Sequence, residues 1–304
     1  MTLIQNLRKL TIYRIFAHFA RKYEFRFLSD ALYLKLAYRG NTGRKLHLSA
    51  PKRYTEKLQW MKIYDRNPRY TTMVDKAAAK EWVASIIGQE HIIPTLGVWD
   101  HFEDIDLDAL PQQFVLKCTH DSHSVLVCTD KQSFDFASAQ KQLDTALKRE
   151  YFYEGRQWPY KNVPPRIIAE QFMENDATED LRDYKFFTFN GEPKVMYIAT
   201  GRGTGETYGD FFDMDFKHLD LCIDHKSAPV CPEKPSCFEE MKKAAALLAW
   251  GTPQVRVDFY EVNGQFYFGE MTFFHCGGFV TFQPDSWDEV FGSWMPACDH
   301  TLNT

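Results

Sequence analysis

The 304-residue sequence has no run of about 18 apolar residues, the length that a helix needs to cross a bilayer. It also lacks the apolar core of a signal peptide, because Arg8, Lys9 and Arg14 interrupt the hydrophobic residues near the N-terminus. Hydrophobic residues make up 44% and charged residues 25%, a balance typical of a globular protein. The composition therefore excludes a multi-span membrane protein and a disordered chain.

Several common motifs are also missing. The seven cysteines are odd in number and include no C-x-x-C pair, which argues against a zinc ribbon or a disulfide framework and favours a reducing cytoplasm. The phosphate-binding pattern G-x-x-x-x-G-K-[ST] is absent, and Gly201, Gly203 and Gly205 lack the spacing of a dinucleotide-binding turn. The two most familiar nucleotide-binding loops are thus excluded.

The net charge of −5 conceals an asymmetry between two parts of the chain. Residues 1–45 carry ten basic and two acidic side chains, or +8, so the remainder carries −13. Apolar residues recur here at helical spacing, among them Ile12, Ile15 and Phe19. Such a basic amphipathic helix either lies on an anionic membrane surface, through residues 1–26, or packs on its own protein with a solvated basic face.

Periodicity and turn signals predict α+β architecture with antiparallel sheets, since helices and β-hairpins follow one another without βαβ alternation. Helices are predicted at 55–66, 72–88, 133–153 and 236–250. Strands are predicted at 114–118, 124–128, 166–172, 184–190, 193–200, 254–262 and 266–274, and a glycine-rich loop at 201–213.

The last hairpin carries the most informative polar residues. A regular two-residue loop at Asn263-Gly264 would put Asp258 and Glu270 on opposite faces, whereas an odd-length loop or a glycine bulge puts both on one face. We predict the second register, which gathers both carboxylates with Arg256 and Thr272. Such a surface suits a hard cation such as Mg²⁺. The alternative is a solvent-exposed polar face.

Three lysines add to this picture. Lys117 ends the apolar run Phe-Val-Leu-Lys, and a lysine on a buried strand needs an anionic partner. Lys76 stands near a predicted helix start, and Lys185 alternates with aromatic residues on a predicted strand. Together with two carboxylates they describe a site in which lysines and Mg²⁺ neutralise a nucleoside triphosphate.

Several motifs follow one another in a set order: Lys76, Phe-Val-Leu-Lys117, Ile-Ile-Ala-Glu170-Gln-Phe-Met173, Asp183-Tyr-Lys185 and Arg-Val-Asp258 followed by Gly-Glu270-Met-Thr272. With these motifs in this order, the chain resembles the ATP-grasp superfamily, and more narrowly the TupA-like ATP-grasp proteins of bacterial surface-polysaccharide gene clusters. The resemblance covers roughly residues 30 to 290. It implies an α+β ATP-grasp fold with two lobes, antiparallel sheets and a helical N-terminal extension. The implied segments are a basic leader at 1–45, a helical segment at 46–112, a lid at 113–173 and a core lobe at 174–304.

The resemblance also implies roles for single residues. Lys76 and Lys117 would contact the nucleotide phosphates from two sides. The segment of Glu170, Gln171, Phe172 and Met173 would bind adenine through its backbone. Asp183 and Lys185 match the D-x-K/R pair after the hinge, and Arg202 matches a basic residue near the transferred phosphate. Asp258 and Glu270 would hold Mg²⁺ with Arg256 beside them, and Arg256, Arg202 and Lys185 would act at the reacting groups.

Two departures from the superfamily pattern concern the same site. The loop at 119–123 contains no glycine, so its backbone approaches phosphates less freely, and His123 is predicted to supply a side-chain contact instead. Thr272 stands where the superfamily usually has Asn, and its hydroxyl would be a weaker third metal ligand.

The resemblance implies a cytoplasmic, ATP- and Mg²⁺-dependent carboxylate–amine ligase, peripheral at the inner face of the membrane. It would join an amino acid or amine to a uronic acid of a capsule or other surface polysaccharide, with no nucleic-acid partner. His225 and His275 are candidate bases for the amine. Two alternatives stay open: a glycosyltransferase using Asp213-Met-Asp215, and a non-catalytic nucleotide- or glycan-binding partner.

Overall fold

A computed structural model describes residues 3–20, 24–174, 181–201 and 206–298, with side chains described from residue 11 onward. The helices are α1 (Leu3–Ala20), α2 (Asp30–Thr42), α3 (Tyr54–Tyr64), α4 (Arg69–Val74), α5 (Ala78–Ile87), α6 (Phe136–Leu147), α7 (Phe238–Leu248) and α8 (Ser286–Trp294). The strands are β1 (Thr95–Trp99), β2 (Phe114–Cys118), β3 (Leu126–Cys128), β4 (Ile167–Gln171), β5 (Asp183–Phe189), β6 (Glu192–Thr200), β7 (Tyr208–Phe212), β8 (Cys222–Ile223), β9 (Gln254–Val262), β10 (Gln265–Thr272) and β11 (Phe282–Gln283).

The N-terminal helices α1 and α2 pack against each other at very short range. A Cβ atom built on Gly40 of α2 would lie 2.1 Å from the Tyr13 carbonyl oxygen of α1, so only glycine allows this approach. Ala17 and Ala20 are buried on the side of α1 that is covered. Ile12, Ile15 and Phe19 are exposed on the other side. The leader therefore packs on its own protein and still presents apolar residues outward.

One antiparallel sheet has the strand order β1-β4-β2-β3, and we call it the lid sheet. Strand alternation gives it two faces, because side chains point alternately to either side. Leu116 and Ala169 lie on the face that packs under α6 in a small hydrophobic core. Val115, Lys117 and Glu170 lie on the opposite face, which is therefore left for a ligand.

The second antiparallel sheet, the core sheet, has the order β10-β9-β5-β6-β7. Every residue of β5 is buried, and α7 covers one face of the sheet through contacts with β5, β6 and β9. The two hairpins turn at Asn190-Gly191 and Asn263-Gly264, where φ is positive at both positions, as a two-residue hairpin loop requires. The predicted α+β architecture with antiparallel sheets and a helical N-terminal extension is confirmed.

The predicted helix at 72–88 is wrong, because the chain forms two helices, α4 and α5, with a break between them. The Asp75 carboxylate accepts hydrogen bonds from the backbone amides of Ala77 and Ala78, at 2.9 and 3.3 Å. These amides begin a new helix, and an aspartate that binds them at a helix start is a strong competitor to helix continuation. The break places Lys76 between the two helices.

Two further element predictions differ from the structure. The predicted helix at 133–153 is shorter, since α6 ends at Leu147 and Tyr151–Tyr153 form a separate 3₁₀ turn. The predicted loop at 201–213 contains a strand, β7, which pairs with β6 at the sheet edge. Its glycine-rich composition concealed the aromatic run that packs into the core.

Candidate active site

A cavity of about 1490 Å³ lies between the lid sheet and the core sheet. Residues of both sheets line it, together with α1 and α2 and the short turn His275–Gly278. Its volume exceeds the 300–1,000 Å³ typical of small-molecule pockets. The space therefore accommodates more than one ligand.

On the lid side, Glu170 of β4 is ion-paired with Lys117 of β2. A second lysine, Lys80, approaches the other oxygen of the same carboxylate at 2.6 Å. Burial alone would raise the pKa of Glu170, but the two lysines hold it below its ordinary value. Glu170 is thus a fixed carboxylate that orients the Lys117 ammonium at the cavity wall.

Lys80 is a residue that the sequence reasoning missed. It donates to the Ile93 carbonyl at 2.7 Å and to the Thr95 hydroxyl at 3.0 Å, besides its contact with Glu170. Three acceptors use all three ammonium donors. Lys80 therefore supports Glu170 rather than a ligand.

Lys76 lies at the break between α4 and α5 and lines the cavity. Its backbone amide donates to the Thr119 carbonyl at 3.2 Å, and its ammonium donates to the Asp121 carbonyl. Burial, and secondarily the charge of Lys117, lower its pKa. Two lysines thus approach the cavity from the helical segment and from the lid.

The remaining lid residues predicted for nucleotide binding also lie at the cavity. Gln171, Phe172 and Met173 continue from β4 along its wall. The His123 ring nitrogen Nε2 lies 3.4 Å from a carboxylate oxygen of Glu154, a contact that raises the pKa of His123.

On the core side, the predicted register of the last hairpin is confirmed. Residues 265–268 pair regularly with 259–262, and then Gly269 forms a bulge that shifts the pairing, so Glu270 stands opposite Asp258. A Cβ atom on Gly269 would lie 3.1 Å from the Asp258 carbonyl oxygen, which explains why glycine occupies the bulge.

Arg256 connects the charged groups of this surface. Its Nε and one terminal nitrogen bind the two Asp258 oxygens at 2.7 and 2.6 Å, and that nitrogen also lies 3.1 Å from Glu270 and from Thr272. Lys185 lies 2.6 Å from Asp258 and is also paired with Asp183. Burial opposes both charges, yet Arg256 and Lys185 hold the pKa of Asp258 below its usual value, and the carboxylates raise the pKa of Arg256.

The donor chemistry of this surface fits Mg²⁺, because carboxylate and hydroxyl oxygens are its preferred protein ligands. Glu270 and Thr272 line the cavity, and the Thr272 hydroxyl lies 3.2 Å from Glu270. Asp258 is almost completely buried, directed to Arg256 and Lys185. Among the described residues there is no group of three or more His, Cys, Asp or Glu side chains at metal-binding distance.

His275 has a defined protonation state. Its Nδ1 lies 2.6 Å from a terminal nitrogen of Arg256, and since a guanidinium only donates, Nδ1 must be the acceptor. Burial, Arg256 and Lys185 lower the pKa of His275 well below its ordinary value, so the ring is neutral with its proton on Nε2. With its lone pair committed to Arg256, His275 is a hydrogen-bond donor and unsuited to act as a base.

Most of the predicted site residues thus meet at one cavity. Those that line it are Lys76, Lys117, His123, Glu170, Gln171, Phe172, Met173, Asp183, Lys185, Arg256, Glu270 and Thr272. Asp258 lies directly behind them, and Arg202 lies outside the described residues. In the Asp213-Met-Asp215 motif, the Asp213 carboxylate accepts from the backbone amides of Asp215 and Lys217, which makes it the cap of a surface turn.

The fold is similar to solved structures of ligases, at low sequence identity. Among solved structures, D-alanine–D-alanine ligase from Bacillus anthracis complexed with ATP is 15% identical, with a TM-score of 0.39, covering 66% of this chain and 54% of that one. D-Alanine–D-alanine ligase from Helicobacter pylori is 11% identical, with a TM-score of 0.45, covering 81% and 70%. The chain thus spans about half the length of the Bacillus anthracis ligase. No curated protein is significantly similar in sequence.

The decisive comparison is with a family model. The model described as TupA-like ATPgrasp matches residues 56–295, which include both sheets and every described wall residue predicted from the sequence. No helix in the described part of the chain is long and apolar enough to cross a membrane. The matched range covers most of the chain and contributes to both walls of the cavity. The chain therefore belongs to the TupA-like ATP-grasp family and has the ATP-grasp fold.

Proposed function

We propose that the protein is an ATP-dependent ligase that joins a carboxylic acid to an amine through an acyl phosphate. The observation that carries this proposal is that two lysines on one wall of the cavity face a paired cluster of cations and carboxylates on the other wall. Lys76 approaches the cavity from the helical segment and Lys117 from the lid sheet, and Arg256 and Lys185 stand at the core side next to Glu270. Such an arrangement suits a reaction in which two anions must meet.

The electrostatics of the reaction explain why both walls are needed. A carboxylate that approaches a triphosphate at about 4 Å meets a repulsion of about 4 kcal/mol for each like-charged pair at an effective dielectric near 20. Fixed cations offset this repulsion without reorganising during the reaction. Lys117 is fixed by Glu170, and Arg256 is fixed by Asp258.

In the proposed mechanism, a carboxylate oxygen of the acid attacks the γ-phosphorus of ATP, and ADP leaves. The amine nitrogen then bonds to the acyl carbon and releases a proton to solvent, while the bond from that carbon to the phosphate oxygen breaks and inorganic phosphate leaves. Lys76 and Lys117 would bind the nucleotide phosphates, while Arg256 and the Nε2–H of His275 would bind the acid. Glu270 and Thr272, with the Asp258 carboxylate behind them, would hold Mg²⁺, which would neutralise phosphate charge.

For the acid we propose a uronic acid of a capsule or other surface polysaccharide, with an amino acid or related amine as co-substrate. The size of the cavity supports a bulky acid beside the nucleotide. The leader also supports it, since Ala17, Tyr33 and Asn41 of α1 and α2 border the same cavity as the turn His275–Gly278. Leader and turn thus border one continuous space.

We further propose a peripheral, cytoplasmic position at an anionic membrane surface, where such glycans are assembled on lipid carriers. Ile12 and Phe27 are exposed at 66% and 83%, and with Ile15 and Phe19 they form one apolar surface. The strongly basic composition of residues 1–45 supplies the charge that anionic lipids attract. We call Ile12, Ile15, Phe19 and Phe27 the leader patch.

The test is ADP release from ATP and Mg²⁺ with panels of uronic acid glycosides and amines. Asp258→Asn and Glu270→Gln should each lower the rate on the order of 100-fold or more, as expected when groups that position charge are lost. Asp215→Asn, an exposed matched control in the Asp-x-Asp turn, should retain the rate. Glycosyl transfer from a nucleotide sugar without ATP, lost in Asp215→Asn, would instead establish a glycosyltransferase and refute the ligase.

A further inference from the structure

One carboxylate that lines the cavity has no role in the reaction described so far. Asp224 directly follows β8, which is held against β11 by pairing of Ile223 with Phe282. Its backbone has a φ of +60°, a left-handed conformation that aspartate tolerates better than most residues. Asp224 is exposed, and it lines the cavity beside His275 and Cys276.

Most acidic side chains around the cavity are already paired with a basic side chain. Glu170 is paired with Lys117 and Lys80, Asp183 with Lys185, Glu270 with Arg256, and Glu154 with His123. Among the described residues, Asp224 and Glu174 line the cavity without a basic partner within 4 Å. Glu174 follows Met173 at the predicted adenine segment, so Asp224 is the carboxylate left for the acceptor end.

Asp224 also lies close to the groups that would hold the acid. Burial and the neighbouring Asp224 carboxylate raise the pKa of the Cys276 thiol to about 11, so the thiol stays protonated. The Cys276 sulfur is 3.7 Å from Nε2 of His275, whose Nδ1 is 2.6 Å from Arg256. Only two side chains therefore separate Asp224 from Arg256.

Asp224 and Arg256 stand at the two ends of a row that also contains Cys276 and His275. The two ends favour ligand groups of opposite charge. Arg256 and the Nε2–H of His275 donate hydrogen bonds, which suits the carboxylate or acyl oxygen of an acid. Asp224 accepts hydrogen bonds and carries negative charge, which suits an alkylammonium group. In a ligase the amine must lie next to the acyl carbon, so an acid and an ammonium side by side match this row.

We propose that Asp224 binds the ammonium group of a primary amine co-substrate, next to an acid held by Arg256 and His275. This assignment rests on the proposed ligase function. It specifies the co-substrate as an amine that is protonated in solution, as opposed to a hydroxyl or thiol acceptor.

Binding without turnover is the first test. Fluorinated primary amines, each paired with the alcohol of the same carbon skeleton, are titrated by ¹⁹F NMR into wild type, Asp224→Asn and Asp220→Asn. Asp220 is exposed in the same segment and lies outside the cavity, so its variant is the matched control. We expect at least one amine to bind about tenfold to 100-fold more weakly to Asp224→Asn alone, while alcohols are unaffected.

If no amine of the panel is weakened by Asp224→Asn, or if amine and alcohol weaken alike, the assignment is overturned. Thermal melting of the three proteins shows whether the variant is folded, and Asp224→Glu, which keeps the charge, should retain most of the binding.

Turnover separates this assignment from the function on which it rests. Hydroxylamine is uncharged at pH 7.5 and can accept an acyl group without an ammonium site. Asp224→Asn should raise the KM for the protonated amine about tenfold or more and leave hydroxylamine-dependent ADP release within about twofold. Equal loss with both acceptors would overturn the ammonium site, whereas no ADP release by wild type with any acid and hydroxylamine would refute the ligase itself.

Discussion

At the scale of single residues, Arg256 determines the character of the site. One guanidinium binds Asp258 through two nitrogens and also contacts Glu270, Thr272 and His275. It thereby keeps two carboxylates close together and fixes the tautomer of a histidine. A lysine at this position could not do both, because it has no planar array of donors.

The neutral state of His275 predicts a pH dependence of stability. The pKa of His275 is well below its ordinary value of about 6.5 because of burial, Arg256 and Lys185, which Asp258 only partly offsets. As the pH falls through 6.5, the unfolded chain therefore binds a proton that the folded chain does not. Wild type should lose up to about 1.4 kcal/mol of stability per pH unit relative to His275→Gln.

Urea unfolding at pH 7.5, 6.5 and 5.5 measures this difference. Burial also lowers the pKa of His120, but this residue is present in both proteins and its contribution cancels. Parallel stability curves for wild type and His275→Gln would contradict the neutral state of His275.

Single residues were the part of the site best predicted from sequence. The acidic pair Asp258 and Glu270, and the cation Lys117, are recognisable because charged residues on otherwise apolar strands need a partner. Lys80 and Asp224 were missed for a physical reason. Each acquires its surroundings only through residues distant in sequence, Glu170 for the first and the His275–Gly278 turn for the second.

At the scale of elements, the bulge at Gly269 is what brings the acidic pair together. Gly269→Val should lower stability by about 1–3 kcal/mol, because its side chain would crowd the Asp258 carbonyl and the Tyr260 ring. It should also lower ADP release on the order of 100-fold, because Glu270 shifts relative to Asp258.

Gly264→Ala in the same hairpin is the matched control. Gly264 has a φ of +79° and nothing within 4 Å of an added Cβ, so alanine should cost about 1 kcal/mol and leave the rate of ADP release unchanged. Urea unfolding and ADP release are measured on both variants. A Gly269→Val protein as active as Gly264→Ala would show that register is unimportant.

Elements were predicted well where local signals agree and poorly where a distant contact overrides them. The two Asn-Gly hairpins follow from their turn chemistry. The division of 72–88 into two helices depends on Asp75, whose carboxylate also binds Arg166 at 3.0 Å, and on the hydrogen bond from Lys76 to Thr119. Both partners are distant in sequence, so the local pattern of helix-forming residues could not reveal the break.

At the scale of the whole molecule, the basic residues of the leader and the exposed apolar leader patch belong to the same part of the chain. The protein should bind vesicles containing phosphatidylglycerol more strongly than vesicles of phosphatidylcholine, and less strongly as salt rises. Ile12→Glu with Phe27→Glu should weaken this binding about tenfold or more, since two exposed apolar side chains no longer enter the lipid.

Flotation of the protein with vesicles measures the effect. Trp250→Glu with Val230→Glu is the control, because these residues are equally exposed and lie outside the leader patch. Equal loss of binding in both double variants, or no binding by wild type, would contradict a membrane role for the leader patch.

The α+β architecture was predictable from periodicity and turn signals, and the ATP-grasp fold from the resemblance of the motif order to that superfamily. The close packing of α1 on α2 was not, since it depends on Gly40, one glycine among 16 in the chain. The sequence left open whether the leader packs on its protein or faces outward. The structure has one side of α1 covered and the other exposed.

One contact of α3 has a mechanical consequence. Gln59 donates to the Gly278 carbonyl at 2.7 Å and Lys62 donates to the Gly277 carbonyl at 2.6 Å, so two buried side chains hold the turn beside His275. The wall that holds His275 is thus fixed to α3, whereas Asp75, Lys76 and Lys80 of the helical segment bind the lid sheet and its loops. A closing motion of the lid sheet would then be directed toward a wall that α3 holds in place, so the groups around His275 would keep their positions while the opposite wall moves.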